Sequence, residues 1–146
     1  MIVRDATAHD RAGWERLWAG YLAHYGVDVP AAISDHTWAR CLDAGSAIAM
    51  RVVPGAHGPI EGFAIHVLHP STWAMGESCY LEDLFVAEHA RGRGVARALI
   101  DDLVAQGRAK GWSHVYWVTE TDNARARMLY DSYALADGYV RYRLTL

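Results

Sequence analysis

YLEDLFVAEHARGRGVARALIDDLVAQGR, residues 80–108, is the stretch whose order of elements decides the fold. Cys79-Tyr80-Leu81 and Leu84-Phe85-Val86 form a largely apolar run, interrupted only by Glu82 and Asp83, and this predicts a strand. Val95, Leu99 and Leu103 then recur with Ala96, Ile100 and Val104 at three- and four-residue steps. Arg97, Asp101, Asp102 and Arg108 take the other side, so the spacing predicts an amphipathic helix. Between strand and helix lies Arg91-Gly92-Arg93-Gly94-Val95-Ala96. Its glycines let the backbone turn sharply and leave amide hydrogens uncovered, and the helix start adds unpaired N–H groups and a positive dipole end. Strand, turn and helix together suit an anion such as a pyrophosphate. Pattern alone also allows a plain basic turn that caps a helix. Two familiar phosphate loops do not fit: G-x-x-x-x-G-K-[ST] is absent, and Gly92-x-Gly94 has no third glycine at dinucleotide spacing.

Working outward, 146 residues predict a single domain spanning 1–146, large enough to bury a core without a disulfide or metal staple. Hydrophobic residues at 52% against 21% charged argue for a globular chain over a disordered one. Cys41 and Cys79 form no C-x-x-C pair and, with no evident leader, read as reduced thiols of a cytoplasmic protein. No apolar run reaches the ~18 residues of a membrane span, and a net charge of −3 argues against a nucleic-acid partner. His66 and His69 sit at a spacing that sends strand side chains to opposite faces, so no metal site is expected.

Upstream, residues 1–7 predict a short strand. Asp10 offers an N-cap to a helix bearing Trp14, Leu17, Trp18, Tyr21, Leu22 and Tyr25 and closed by Gly26. That aromatic stripe reads as core, with one ring left open as pocket lining. A second helix is expected from Pro30 or Ser34 to Leu42. Strands follow at 46–53 and 60–69, joined by a loop over 54–59 rich in glycine and proline. Downstream, Gly111 stops the helix and residues 114–120 predict a strand. Thr121-Asp122-Asn123 can cap a helix running to about Tyr133, and residues 139–146 alternate as a final strand. The sum is an α/β or α+β mixed, twisted sheet flanked by about four helices.

Arg91-x-x-Gly94-x-Ala96 after a strand resembles the acetyl-coenzyme A signature [QR]-x-x-G-x-[GA] of the GNAT N-acetyltransferases, and residues 80–86 resemble the signature-bearing strand of the spermidine/spermine branch. A second block, Trp117-x-Thr119-Glu120-x-x-Asn123-x-x-Ala126-x-x-Leu129-Tyr130, resembles the fourth-helix motif of the same family. The gap of about seven residues from Asn123 to Tyr130 is close to two helical turns, so both share a side. The wording VYWVTETDNARARMLY is similar to a branch acting on histones, polyamines or free amino acids. The short tail after Tyr133 departs from relatives that end on two strands.

The resemblance implies the GNAT acyl-CoA N-acyltransferase fold and acetyl-CoA as cosubstrate, with no metal. It implies that Arg91, Gly92, Arg93, Gly94, Val95 and Ala96 hold the pyrophosphate, that main chain at Leu84, Phe85 and Val86 pairs with pantetheine, and that Asn123 contacts the cofactor arm. A Val86 N–H would polarise the thioester carbonyl. Tyr130 would be the acid that protonates the departing thiolate; as an isolated residue it would read as a packing tyrosine. An alkylammonium of pKa ~10.4 costs about 4–5 kcal/mol to deprotonate at neutral pH, so a base has leverage. Glu82 is the first candidate and Asp83 the second, with a carboxylate answering Arg91 or Arg93 as the plainer alternative. Tyr25, Asp28, Asp35 and His36 lie where acceptor loops sit in the family, and Glu120, with Asp122, could attract a cation. The expected partner is a small amine, a polyamine or diamine first, then an amino acid or aminoglycoside-like amine, then a protein lysine. A non-catalytic acyl-CoA-binding module is the reading from another class. Residues 139–146 could pair across a homodimer edge.

Overall fold

The computed structural model describes residues 1–56 and 58–146. His57, in the expected 54–59 loop, lies outside the described residues. The elements are β1 (Arg4–Asp5), α1 (Arg11–Tyr25), α2 (Ala31–Leu42), β2 (Ile48–Gly55), β3 (Gly58–His69), β4 (Ser78–Val86), α3 (Val95–Lys110), β5 (His114–Tyr116) and α4 (Ala124–Tyr130). They build one mixed sheet in the order β1-β2-β3-β4-β5, antiparallel except for the parallel pair β4–β5. A parallel pair needs a crossover, and α3 supplies it.

The helices take opposite faces because successive strand residues do. Phe63 and Phe85, paired across β3 and β4, meet Trp18 and Tyr21 of α1. Gly62, one residue earlier, faces α3 so closely that a Cβ there would lie 2.7 Å from Val95 Cγ1. Only glycine lets the start of α3 rest against the sheet at that depth. Leu99, Ile100 and Leu103 of α3 are fully buried, while Trp14 stacks between Trp18 and Trp38 to join α1 and α2. The aromatic stripe of α1 is therefore core over its first half.

Several expected boundaries shift. β1 covers two residues rather than seven because continuation of its register would set Ile2 opposite Pro54, which has no N–H to give. The strand expected over 114–120 stops at Tyr116, where its pairing with β4 ends. The helix expected to reach Tyr133 ends at Tyr130 and continues as a turn. The final strand expected over 139–146 does not form: residues 134–146 hold no regular structure. Alternation marks a segment suited to a pleated surface, but a strand exists only where its backbone groups find partners. No helix among the described residues is long and apolar enough to cross a membrane.

Asp10 does not cap α1 with its side chain. It turns back, accepting from Arg4 Nη1 at 2.7 Å, Arg4 Nη2 at 2.9 Å and the Thr7 N–H at 2.8 Å. Those donors hold its carboxyl down at about 2. A depressed carboxyl stabilises the fold above its unfolded value of about 3.9, and that contribution fades as pH falls toward 2. Asp10→Asn is expected to cost about 1–2 kcal/mol at neutral pH and to flatten the loss of stability between pH 4 and 2. Urea melts across that window would show it; an unchanged slope would mean the ion pair is not what acid breaks.

Candidate active site

β4 and β5 stay paired only from Ser78↔His114 to Tyr80↔Tyr116, and beyond that the chains part. The opening leaves Leu84–Val86 of β4 without a β5 partner. A cleft of about 410 Å³ fills it, bounded by that stretch, the Arg91–Ala96 turn, the start of α4 and the end of α1. The turn, strand and helix of the two sequence blocks therefore meet across one cavity.

At one end sits the basic turn. Gly92 and Gly94 hold φ of 77° and 84°, the left-handed region that side chains other than glycine rarely adopt. A Cβ on either would meet nothing within 4 Å, so open space lies over their backbone. Gly94 is the N-cap of α3, and no acidic residue occupies the helix's first turn. The amides of residues 95–97 precede the first intrahelical bond, from the Ala98 N–H to the Gly94 carbonyl at 2.9 Å. Arg91 lies over the Phe85 ring at 5.5 Å, and its Nε donates to the Val86 carbonyl at 3.3 Å. Arg93 is answered by Glu61 at 3.5 Å, not by Glu82 or Asp83.

At the other end the rings gather. Tyr130 packs on Trp117 at 5.4 Å, and burial together with the nearby Tyr25 raises its pKa above the ordinary phenol value. Tyr21 and Tyr25 contact edge-to-face at 5.0 Å and both line the cleft. Asn123 lines it too, while its Oδ1 caps α4 by accepting from the Ala126 N–H at 3.4 Å and its Nδ2 donates to Thr119 Oγ1 at 3.0 Å. Glu120 is exposed, and its charge helps raise the Tyr25 pKa.

The carboxylates of β4 do not alternate across the sheet. Ile65 faces Asp83 and its neighbour His66 faces Leu81, which makes Glu82 the extra residue of a bulge. The bulge rephases the strand, so Asp83 shares the α1 face with Phe85 while Leu81 takes the α3 face. Asp83 is half-buried beside Tyr21, and desolvation pushes its carboxyl up to about 6 against the opposing effect of the Tyr21 hydroxyl. Glu82 stays exposed, with its charge still felt at Tyr21 and Cys41. The sequence ranks Glu82 ahead of Asp83; the structure leaves Glu82 exposed and half-buries Asp83, the low-dielectric position whose carboxyl moves toward neutral pH.

Asp35 is paired with Arg11, and Asp28 and His36 are exposed outside the cleft. His66 is buried against Trp112, with burial lowering its pKa to about 4, while His69 reaches the Tyr116 hydroxyl at 2.8 Å. Burial pushes both Cys41 and Cys79 up to about 12, so neither is a thiolate near neutral pH. His24 and Arg125 also line the cleft with no role expected from the sequence, and Tyr21 lines it as a ring of the aromatic stripe. Tyr21 had one usable signal, its position one helical turn before Tyr25. Arg125 had another, a basic residue in the first turn of the helix that Asn123 caps.

The family model described as Acetyltransferase (GNAT) family matches residues 30–134. The D-amino-acid N-acetyltransferase HPA3 of Saccharomyces cerevisiae is 31% identical over 144 residues, covering 98% of this chain and 89% of the yeast protein. A ribosomal-protein-alanine N-acetyltransferase from Brucella melitensis biovar Abortus 2308 superposes with a TM-score of 0.79 at 22% identity, over 100% of both chains. An aminoglycoside acetyltransferase from an uncultured soil metagenomic sample gives 0.81 at 17% identity, over 99% of this chain and 95% of that one. The two structural likenesses carry the fold. The match over residues 30–134 and the yeast relative carry the descent, and by them this chain belongs to the GNAT family of N-acetyltransferases.

Proposed function

We propose that the protein moves the acetyl group of acetyl-CoA directly to the primary amine of a small molecule. The family uses acetyl-CoA generally. The observation that carries this reading is the continuity of one cleft from the bare backbone at Gly92 and Gly94 to half-buried Tyr130 and to Tyr21, beside which Asp83 sits. That open backbone, which a Cβ would fill, fits a diphosphate held by the amides around Gly92–Ala96, with Arg91 alongside. The unpaired main chain at Leu84–Val86 suits a pantetheine arm lying as an added strand. Acetyl-CoA supplies an activated thioester; the chain supplies position and protons.

Asp83 is the base, directly or through one water, and Glu82 and Glu120 add negative charge that draws an ammonium to that end. Tyr130 keeps its proton on the phenol oxygen and gives it to the departing sulfur. A Val86 N–H would stabilise the developing oxyanion. The three carboxylates favour a diamine or polyamine acceptor. The yeast relative's name favours an amino acid, and this second reading is tested beside the first. The decisive measurement is thiol release from acetyl-CoA over a panel of diamines, D- and L-amino acids and aminoglycosides, with mass detection of product. Cofactor binding without turnover on any of them would favour a sensor over an enzyme.

Gly94→Val tests the phosphate end. A β-branched residue at φ 84° costs about 1–3 kcal/mol of strain and sets methyl groups over the open backbone. Calorimetric affinity for coenzyme A is expected to fall at least roughly tenfold, a loss of about 1.4 kcal/mol. Undiminished affinity would place the diphosphate elsewhere.

A further inference from the structure

Asp83 does not line the cleft. Among the described residues, the side chain that both lines it and meets the Asp83 carboxyl is Tyr21. The bulge at Glu82 sets Asp83 on the α1 face with Phe85, and the Tyr21 ring packs on Phe85 at 6.0 Å and on Phe63 at 6.2 Å. Trp18 stacks on the same ring at 5.4 Å. Three neighbouring rings thus fix where the hydroxyl sits, between the open cleft and the half-buried acid. A proton that travels from the cleft to Asp83 meets Tyr21 on the way.

Burial, and after it the Asp83 charge, raises the Tyr21 phenol far above its ordinary value, so it does not stand ionised as a base. Such a hydroxyl moves a proton only by accepting one on its oxygen while giving up its own, and a phenol carries both a donor and lone pairs. Toward Asp83 it acts as a donor to the ionised carboxylate, holding down the value that burial raises. On its other flank Tyr21 meets Tyr25 edge-to-face at 5.0 Å, and Tyr25 is 43% exposed. Burial, Glu120 and Asp83 raise the Tyr25 phenol, and the Tyr21 hydroxyl opposes that rise. Tyr25, Tyr21 and Asp83 therefore form a chain of hydroxyls and carboxyl from solvent inward. The other titratable or charged groups around it are Glu82 on β4, Cys41 on α2 with Arg40 beside it, Glu120 after β5 and Tyr130 on α4.

We propose that Tyr21 is a proton relay: its hydroxyl oxygen takes a proton from the acceptor's ammonium while its own proton passes to the Asp83 carboxylate. One N–H bond of the ammonium and the Tyr21 O–H bond break, and new O–H bonds form on Tyr21 and on Asp83. The amine is left neutral with its lone pair, and the tyrosine ends as it began. The proton on Asp83 later returns through Tyr21 and Tyr25 to solvent. This relay rests on the reading of Asp83 as the base, and it puts a fixed protein group where a direct contact or a single water would otherwise serve.

The test is Tyr21→Phe, with kcat/KM followed between roughly pH 6 and 10 for whichever of 1,4-diaminobutane and D-alanine the wild type acetylates. Phenylalanine keeps the ring among Trp18, Phe63 and Phe85, and near-ultraviolet circular dichroism checks that packing. At neutral pH kcat/KM is expected to fall at least roughly tenfold, with affinity for coenzyme A within about twofold. The loss is expected to shrink as pH rises. Without a relay the amine has to arrive neutral, a fraction that climbs about tenfold per pH unit toward its own pKa, ~10.4 for an alkylammonium. Adding Tyr21→Phe to Asp83→Asn is expected to cost no more than Asp83→Asn alone, because both groups serve one proton path. A loss of equal size at every pH, or losses that multiply in the double variant, would make Tyr21 a packing residue and overturn the relay. A wild type that acetylates neither amine overturns the acceptor reading together with the relay. Wild-type turnover with an unaltered Tyr21→Phe profile overturns the relay alone.

Discussion

Tyr130→Phe is expected to lower kcat by roughly 10²-fold or more while leaving affinity for coenzyme A within about twofold. Phenylalanine keeps the ring against Trp117, so no cavity opens and the α4 packing survives. Only the O–H is lost. Burial and Tyr25 hold the phenol protonated beyond its ordinary range, which is what a donor to a leaving thiolate needs. Steady-state kinetics with a saturating amine, beside calorimetric binding of coenzyme A, separate the two effects. If kcat survives, the proton comes from elsewhere and Tyr130 is packing. If binding fails along with rate, the hydroxyl holds the cofactor instead.

Asp83→Asn is expected to cost about 10²-fold in kcat/KM at neutral pH and to remove an inflection near pH 6. The direction follows from the raised carboxyl: it is charged, and so a base, only above about 6, and the wild-type rate should rise through that pH and level off. Stability runs the other way. A carboxyl whose folded value lies above its unfolded value of about 3.9 favours the fold when neutral, and that advantage is lost as pH rises through 6. Asparagine cannot ionise, so the variant is expected to be more stable than wild type at pH 8, by about 1–2 kcal/mol. A slower but more stable variant is the signature of a desolvated catalytic carboxylate. Glu82→Gln, at the exposed bulge position, should change KM for a cationic amine more than kcat. Were the pH 6 inflection to vanish in Glu82→Gln and persist in Asp83→Asn, the two roles would be exchanged.

Much of the Gly92–Gly94 end of the cleft was legible because it is local. The Arg91–Ala96 turn, the α3 stripe and the Asn123-to-Tyr130 spacing each depend on φ/ψ preferences and periodicities within a few residues, and they survive folding unchanged in kind. Legibility faded where a residue's role depends on a partner far along the chain. Asp83 owes its raised carboxyl to burial where α1, some sixty residues earlier, packs on β4, and the Tyr21 hydroxyl there opposes the rise. Glu61, on β3, takes Arg93 out of the reckoning for β4. Which faces Glu82 and Asp83 take depends on a bulge that the β3–β4 register locates at Glu82. The 139–146 run shows the converse: its alternation was plain, yet the chain offers it no paired edge.

The amino-acid sequence by itself determined the order of elements through α4, the Arg91–Ala96 glycine turn and the spacing of Asn123 and Tyr130, since these follow from backbone sterics and short-range spacing. Only the tertiary structure decided which carboxylate is desolvated, which tyrosines surround it, and that β4 and β5 part after Tyr80 and Tyr116 to open the cleft. Burial and pairing are properties of surfaces brought together across the chain, and a residue's charge state follows the dielectric and the neighbours it meets there.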